Sequence, residues 1–92
     1  MIKEVRLSKK AEKEILFVPE FIKVKLMTWI DAVEETGLEE VRKIRGYHDE
    51  ALRGKFSGFR SIRLNRSYRA VYIIEDQVAE FVLIERINKH EY

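Results

Sequence analysis

The chain has 92 residues, 46% of them apolar and 37% charged, with a formal net charge of +2. That length suits a single domain spanning 1–92 with a modest core, and the apolar share excludes an intrinsically disordered chain. No apolar run approaches the roughly 20 residues a membrane helix needs, and the absence of cysteine excludes a disulfide framework or a thiolate zinc site.

The opening Met1-Ile2-Lys3-Glu4 does not resemble a secretory signal, so a cytoplasmic protein is the default expectation. Ile2, Val5 and Leu7 alternate imperfectly with polar residues and predict a first strand. Ser8 is placed to cap a helix, its hydroxyl oxygen accepting a backbone N–H. Ala11, Ile15 and Val18 then recur at helical spacing. Pro19 suits the first turn of a second helix, where its missing N–H costs nothing. Ile22, Leu26, Trp29, Ile30 and Val33 form that helix's apolar stripe, and Gly37 ends it by taking a left-handed conformation without strain. A third, shorter helical pattern runs through Leu38, Val41 and Ile44 and stops at Gly46.

Beyond Gly46 the apolar period changes from 3.6 to 2. Residues 59–64, 68–74 and 78–84 are rich in β-branched and aromatic side chains and predict strands. Glu75-Asp76-Gln77 is the turn that joins the last two into a hairpin. The expected architecture is α+β: an N-terminal strand and two to three helices packed on one face of a three- to four-stranded antiparallel sheet, whose other face stays open.

Charge is unevenly spread. Residues 1–37 are neutral, residues 38–72 carry nine basic and four acidic side chains, and residues 73–92 carry two basic and five acidic ones. Residues 53–69 hold six Lys or Arg and no carboxylate. Such a patch attracts anions far better than the average charge suggests, and nucleic acid is the commonest large anion in a cytosol. Period-2 alternation sets Arg69 on one face with Val71 and Ile73, Arg63 with Phe59 and Ser61, and Arg60 with Ile62 and Leu64. For Arg60 and Arg66 an ion pair or a solvated head is the preferred explanation. Arg63 and Arg69 are better explained as a guanidinium pair that needs an anion, and phosphate matches their fork.

Two further clusters accompany the arginines. His48, Asp49 and Glu50 precede the basic run, and a carboxylate beside cations stays ionised, as a general base must. Lys89, His90, Glu91 and Tyr92 end the chain, where an imidazole can exchange a proton near neutrality. Base, acid and phosphate-holding arginines together suffice for metal-free RNA cleavage through the ribose 2′-hydroxyl. The two histidines and the carboxylates show no metal-ligand spacing.

These residues resemble the RelE/ParE superfamily of bacterial toxins, nearest the RelE, YoeB and HigB type. The likeness covers nearly the whole chain and is carried by Glu50-Ala51-Leu52-Arg53-Gly54, by the strand pair from Ser57 to Tyr72, and by Lys89-His90-Glu91-Tyr92. The resemblance implies a toxin that cleaves messenger RNA in the 30S A site of the ribosome, needs no cofactor or metal, and is neutralised by a cognate antitoxin. It places the general base on Glu50, with His48 the weaker alternative. It places Arg69 on the scissile phosphate with Arg63 in support. His90 becomes the general acid, with Lys89 as its substitute, and Tyr92 positions the nucleotide. Arg53, Lys55, Arg60, Arg66 and Lys89 would grip RNA. The competing expectations are a ParE-like inhibitor of DNA gyrase, which is not an enzyme, and a non-catalytic RNA-binding module.

Overall fold

A computed structural model describes residues 1–87. In chain order its elements are β1 (Glu4–Leu7), α1 (Lys9–Ile15), α2 (Glu20–Thr36), α3 (Leu38–Val41), a 3-10 turn (Arg45–Tyr47), β2 (Glu50–Ala51), a second 3-10 turn (Gly54–Phe56), β3 (Arg60–Arg63), β4 (Tyr68–Glu75) and β5 (Val78–Arg86).

Local signals account for most of the helical boundaries. Ser8 Oγ accepts the Ala11 N–H at 3.1 Å and starts α1. Pro19 stands immediately before α2, in an extended conformation. The stripe Ile22, Leu26, Trp29, Ile30 and Val33 is buried throughout. Gly37 breaks the backbone between α2 and α3 at φ 94, ψ 149, a conformation open essentially to glycine alone. A Cβ there would also stand 2.8 Å from the Met1 Cγ, so side-chain packing reinforces the backbone requirement. α3 ends at Val41, earlier than the apolar spacing predicts, and Ile44 is left exposed.

The sheet has five strands in the order β1-β5-β4-β3-β2. It is mixed rather than purely antiparallel. β1 runs parallel to β5, with Val5 opposite Ala79 and Leu7 opposite Phe81. A parallel pairing needs a long connection, and here the three helices and strands β2 to β4 lie between the two partners in the chain. The added strand β2 has two residues and pairs with the edge of β3, Glu50 opposite Ser61.

The helices cover one face of this sheet. Trp29 of α2 packs on Tyr72 and Phe81 at ring-centroid distances of 5.4 and 5.1 Å, and those two rings lie 5.5 Å apart. Each such pair adds about 0.5–1.5 kcal/mol beyond its buried area. Ala11, Ile62, Ala70, Ala79 and Ile84 complete the core around them. A register shift beside Val71 and Tyr72 places Tyr72 opposite Phe81, although Ala70 lies opposite Ile84. The extra residue on β5 keeps Phe81 and Ile84 both on the helix-covered face. On the uncovered face stand Arg63, Arg69, Ile73, Leu83 and Glu85.

Candidate nucleic-acid interface

Three adjacent strands build the first part of the site. Arg63 of β3 lies directly opposite Arg69 of β4, which lies directly opposite Glu85 of β5. The Leu64 N–H donates to Tyr68 C=O, so the alternation of the ladder makes Arg63 and Arg69 a non-hydrogen-bonded pair. Side chains stand closest in such pairs, with Cα atoms about 4.5 Å apart. Like charges directly opposite repel. Glu85 offsets that repulsion, because its carboxylate accepts a short hydrogen bond from Arg69 Nε. The two side chains remain about one-third exposed, 32% and 33%. Arg69 was expected to lack an acidic partner. The partner exists but comes from a strand 16 residues further along, outside the basic stretch.

A cleft of about 720 Å³ opens beside this row. Lys25, Gly46, His48, Glu50, Arg63, Leu64, Asn65 and Arg66 line it. Each charged member has an identifiable support. Glu50 sits on β2 two residues down the ladder from Arg63, since its partner is Ser61. Arg66 is carried on the β3–β4 turn, where Asn65 Oδ1 accepts from the Ser67 and Tyr68 N–H groups at 2.7 and 2.8 Å. This side-chain turn is what the backbone of a short connection needs to stay ordered. His48 closes the first 3-10 turn in the left-handed region, φ 46 and ψ 48, which is uncommon for a residue other than glycine. Lys25 reaches in from α2 with Nζ 4.9 Å from the centre of the Tyr47 ring.

Three cations and one carboxylate give this cleft a net positive lining. Arg69 stands behind Arg63 and is not among the lining residues. Arg53 and Lys55 are exposed on the loop around the second 3-10 turn, outside the cleft. Lys89, His90 and Tyr92 lie beyond the described residues. Lys25 was not anticipated from the sequence: it is one of several lysines among helical residues, and no local signal distinguishes it.

Arg60 requires a correction. The resemblance implied RNA binding, whereas the residues themselves favoured an ion pair or a solvated head; alternation puts Arg60 on the face opposite Arg63, and its Nε donates to Asp49 Oδ1 at 2.7 Å, an ion pair. Tyr72 Oη donates to the other oxygen of Asp49 at 2.6 Å. The Asp49 side chain is fully buried. A carboxylate removed from water must be both paired and hydrogen-bonded, and here both conditions hold. The consequence reaches the cleft. Asp49 ties the start of β2 to β3 and β4 beneath the sheet, and the next residue is Glu50.

Burial raises the Tyr72 pKa well above that of an ordinary tyrosine, and its hydrogen bond to Asp49 and the charge of Asp49 push in the same direction; Arg60 opposes them. For Arg60, burial acts to lower the pKa, but the hydrogen bond and charge of Asp49 outweigh it and leave the net direction upward. An unfolded chain releases the Tyr72 proton near the ordinary value of 10.0, while the folded chain keeps it. The folded state then binds more protons, so its stability falls as pH rises. This contribution is fully present below about pH 10 and is lost above it as pH approaches the folded-state pKa. Unfolding midpoints in urea should therefore drop more steeply above that pH in the wild type than in Tyr72→Phe. A residual slope is expected in the variant, because burial also raises the pKa of Tyr47. Identical slopes would show that Tyr72 is not held protonated by this network.

Among the described residues, no group of three or more His, Asp or Glu side chains is placed to hold a metal. No helix of the described residues is long and apolar enough to cross a membrane. The chemistry open to the site is recognition of an anion by guanidinium groups beside an exposed carboxylate and imidazole.

No protein-family model and no curated protein sequence matches the chain. Solved structures do. YafQ from E. coli strain BL21(DE3) superposes with a TM-score of 0.73 over 90% of this chain and 91% of its own, at 15% identity. The YoeB–YefM complex from Staphylococcus aureus gives 0.71 over 92% and 97%, at 17% identity. The toxin–antitoxin complex RelBE2 from Mycobacterium tuberculosis gives 0.59 over 91% and 96%, at 19% identity. The chain has the RelE/YoeB-type toxin fold.

Proposed function

We propose that this protein is the toxin of a toxin–antitoxin pair and a metal-independent endoribonuclease that cuts messenger RNA in the ribosomal A site. The observation that carries this reading is the Arg63–Arg69 pair on the uncovered face, beside a cleft that exposes Glu50. Two arginines held directly opposite each other on neighbouring strands, despite their like charge, are suited to a phosphodiester.

Glu50 takes the proton of a ribose 2′-hydroxyl, and the oxygen attacks the adjacent phosphorus. Arg69 and Arg63 stabilise the charge that gathers on the non-bridging oxygens. His90, or Lys89 in its place, protonates the departing 5′-oxygen. Tyr92 stacks on the neighbouring nucleotide. Arg53, Lys55 and Arg66 grip the flanking backbone, and Lys25 joins them. Base and acid each contribute about 10²–10⁴-fold in such reactions.

An antitoxin partner is supported by two things. RelBE2 and the YoeB–YefM pair were solved as complexes. This chain also exposes large apolar side chains at the end of α1 and along α2: Phe17 is 85% exposed, Phe21 63% and Val24 58%. Uncovered apolar surface of this kind marks an interaction site. The toxin acts in the cytoplasm, where ribosomes and antitoxin are found.

The deciding experiment is induction in bacterial cells with mapping of messenger RNA 5′ ends, alongside a gyrase supercoiling assay. New ends within translated frames and unchanged supercoiling are expected. Blocked supercoiling without new ends would replace this reading with gyrase inhibition. A messenger carrying a 2′-deoxy nucleotide at the cut position should resist, since DNA-like sugar offers no internal nucleophile.

A further inference from the structure

Arg69 is bound to Glu85 in a particular way. The contact is made at Nε, and among the described residues the guanidinium has no other side-chain partner. An arginine carries five N–H donors, so four on the two Nη groups remain. A carboxylate approaching end-on would have occupied the same edge that a phosphate uses. Glu85 instead approaches from β5, the strand on the far side of Arg69 from Arg63.

We propose that Glu85 is a positioning residue that orients Arg69 for phosphate. By accepting from Nε it fixes the rotation of the guanidinium plane and leaves the Nη edge available. Its negative charge also partly neutralises Arg69 and so weakens the repulsion between Arg69 and Arg63. This inference rests on the reading of Arg69 as the phosphate-holding arginine. Glu85 itself makes no contact with the reacting atoms. Its carboxylate is engaged by a cation, whereas the exposed Glu50 has no such partner among the described residues.

The register explains why the role falls to this residue. Among the described residues, Glu85 is the only acidic side chain directly opposite a member of the arginine pair, and the ladder holds it there by main-chain bonds rather than by its own contacts. A misplaced catalytic group loses rate steeply: a shift of about 1 Å can cost on the order of 10²-fold.

The test uses the full chain, purified from its complex with antitoxin, on labelled messenger RNA bound to 70S ribosomes. In single-turnover assays Glu85→Ala should cut about 10- to 100-fold more slowly, with half-saturation changed less than about threefold. Glu85→Gln, whose amide oxygen still accepts from Nε, should recover most of the lost rate. In an Arg69→Ala background, Glu85→Ala should cost nothing further, because residues acting through one group are not additive. Thermal unfolding confirms that each variant is folded. A folded Glu85→Ala at full rate, or a Gln variant no better than Ala, overturns the positioning role while leaving the function intact. A folded Arg69→Ala that cleaves normally overturns both.

Discussion

Arg69→Ala is expected to lower the RNA cleavage rate by about 10²–10³-fold, the range seen when one donor to a developing oxyanion is removed. Growth arrest on induction should vanish with it. The fold should survive, because the change removes a pair that is one-third exposed, and such pairs contribute about 0–1 kcal/mol. The same truncation relieves the repulsion with Arg63, which offsets part of that loss. Arg69→Lys separates charge from shape. A lysine keeps the charge but has no planar fork and no Nε to give Glu85, so it should recover little of the rate. The measurement is single-turnover cleavage paired with thermal unfolding. A stable, well-expressed Arg69→Ala protein that still arrests growth would remove the arginine pair from the mechanism.

Asp49→Ala should lower stability by about 3–5 kcal/mol, the usual cost of leaving a buried charge without its partner. Domains of this kind have about 5–15 kcal/mol in total, so the variant would approach unfolding at physiological temperature. The mechanism is specific. Removing the carboxylate strands the Arg60 guanidinium, which is only 21% exposed, and also the Tyr72 hydroxyl beneath the sheet. Tyr72→Phe leaves the Asp49–Arg60 pair in place and should cost only about 1 kcal/mol, one hydrogen bond. The difference between the two variants isolates the ion pair. Urea unfolding measures it as a shift of midpoint at constant slope. A loss below about 1 kcal/mol in Asp49→Ala would mean that the network does not tie β2 to the sheet. Any cleavage that remains should also fall, because Glu50 depends on Asp49 for its place at the cleft.

The legible part of this protein consists of features encoded within a few residues of each other. The α2 stripe from Ile22 to Val33 is buried because intervals of three and four bring those side chains to one line of a helix. The Ser8 cap needs only the N–H three residues ahead. The shared face of Arg69, Val71 and Ile73 follows from strand alternation alone. These pieces in their order gave the α+β class, and the resemblance of Glu50–Gly54 and Ser57–Tyr72 to the RelE/ParE superfamily gave the more specific fold.

The unforeseen features are all contacts between distant segments. β1 lies against β5 in parallel, and nothing in either strand marks the other as its neighbour. Arg69 looked unpaired in a stretch without carboxylates, and its partner sits on the next strand. Arg60 and Asp49 lie 11 residues apart and meet only because β3 folds back over the start of β2. Lys25 reaches the cleft from a helix whose sequence gives no hint of it. Helix faces, caps and strand alternation were written in the chain because their period is set by local backbone geometry. Which arginine is bound, which is exposed and which carboxylate answers each was settled by strand register and a single bulge, which depend on how the whole sheet packs against Trp29, Tyr72 and Phe81.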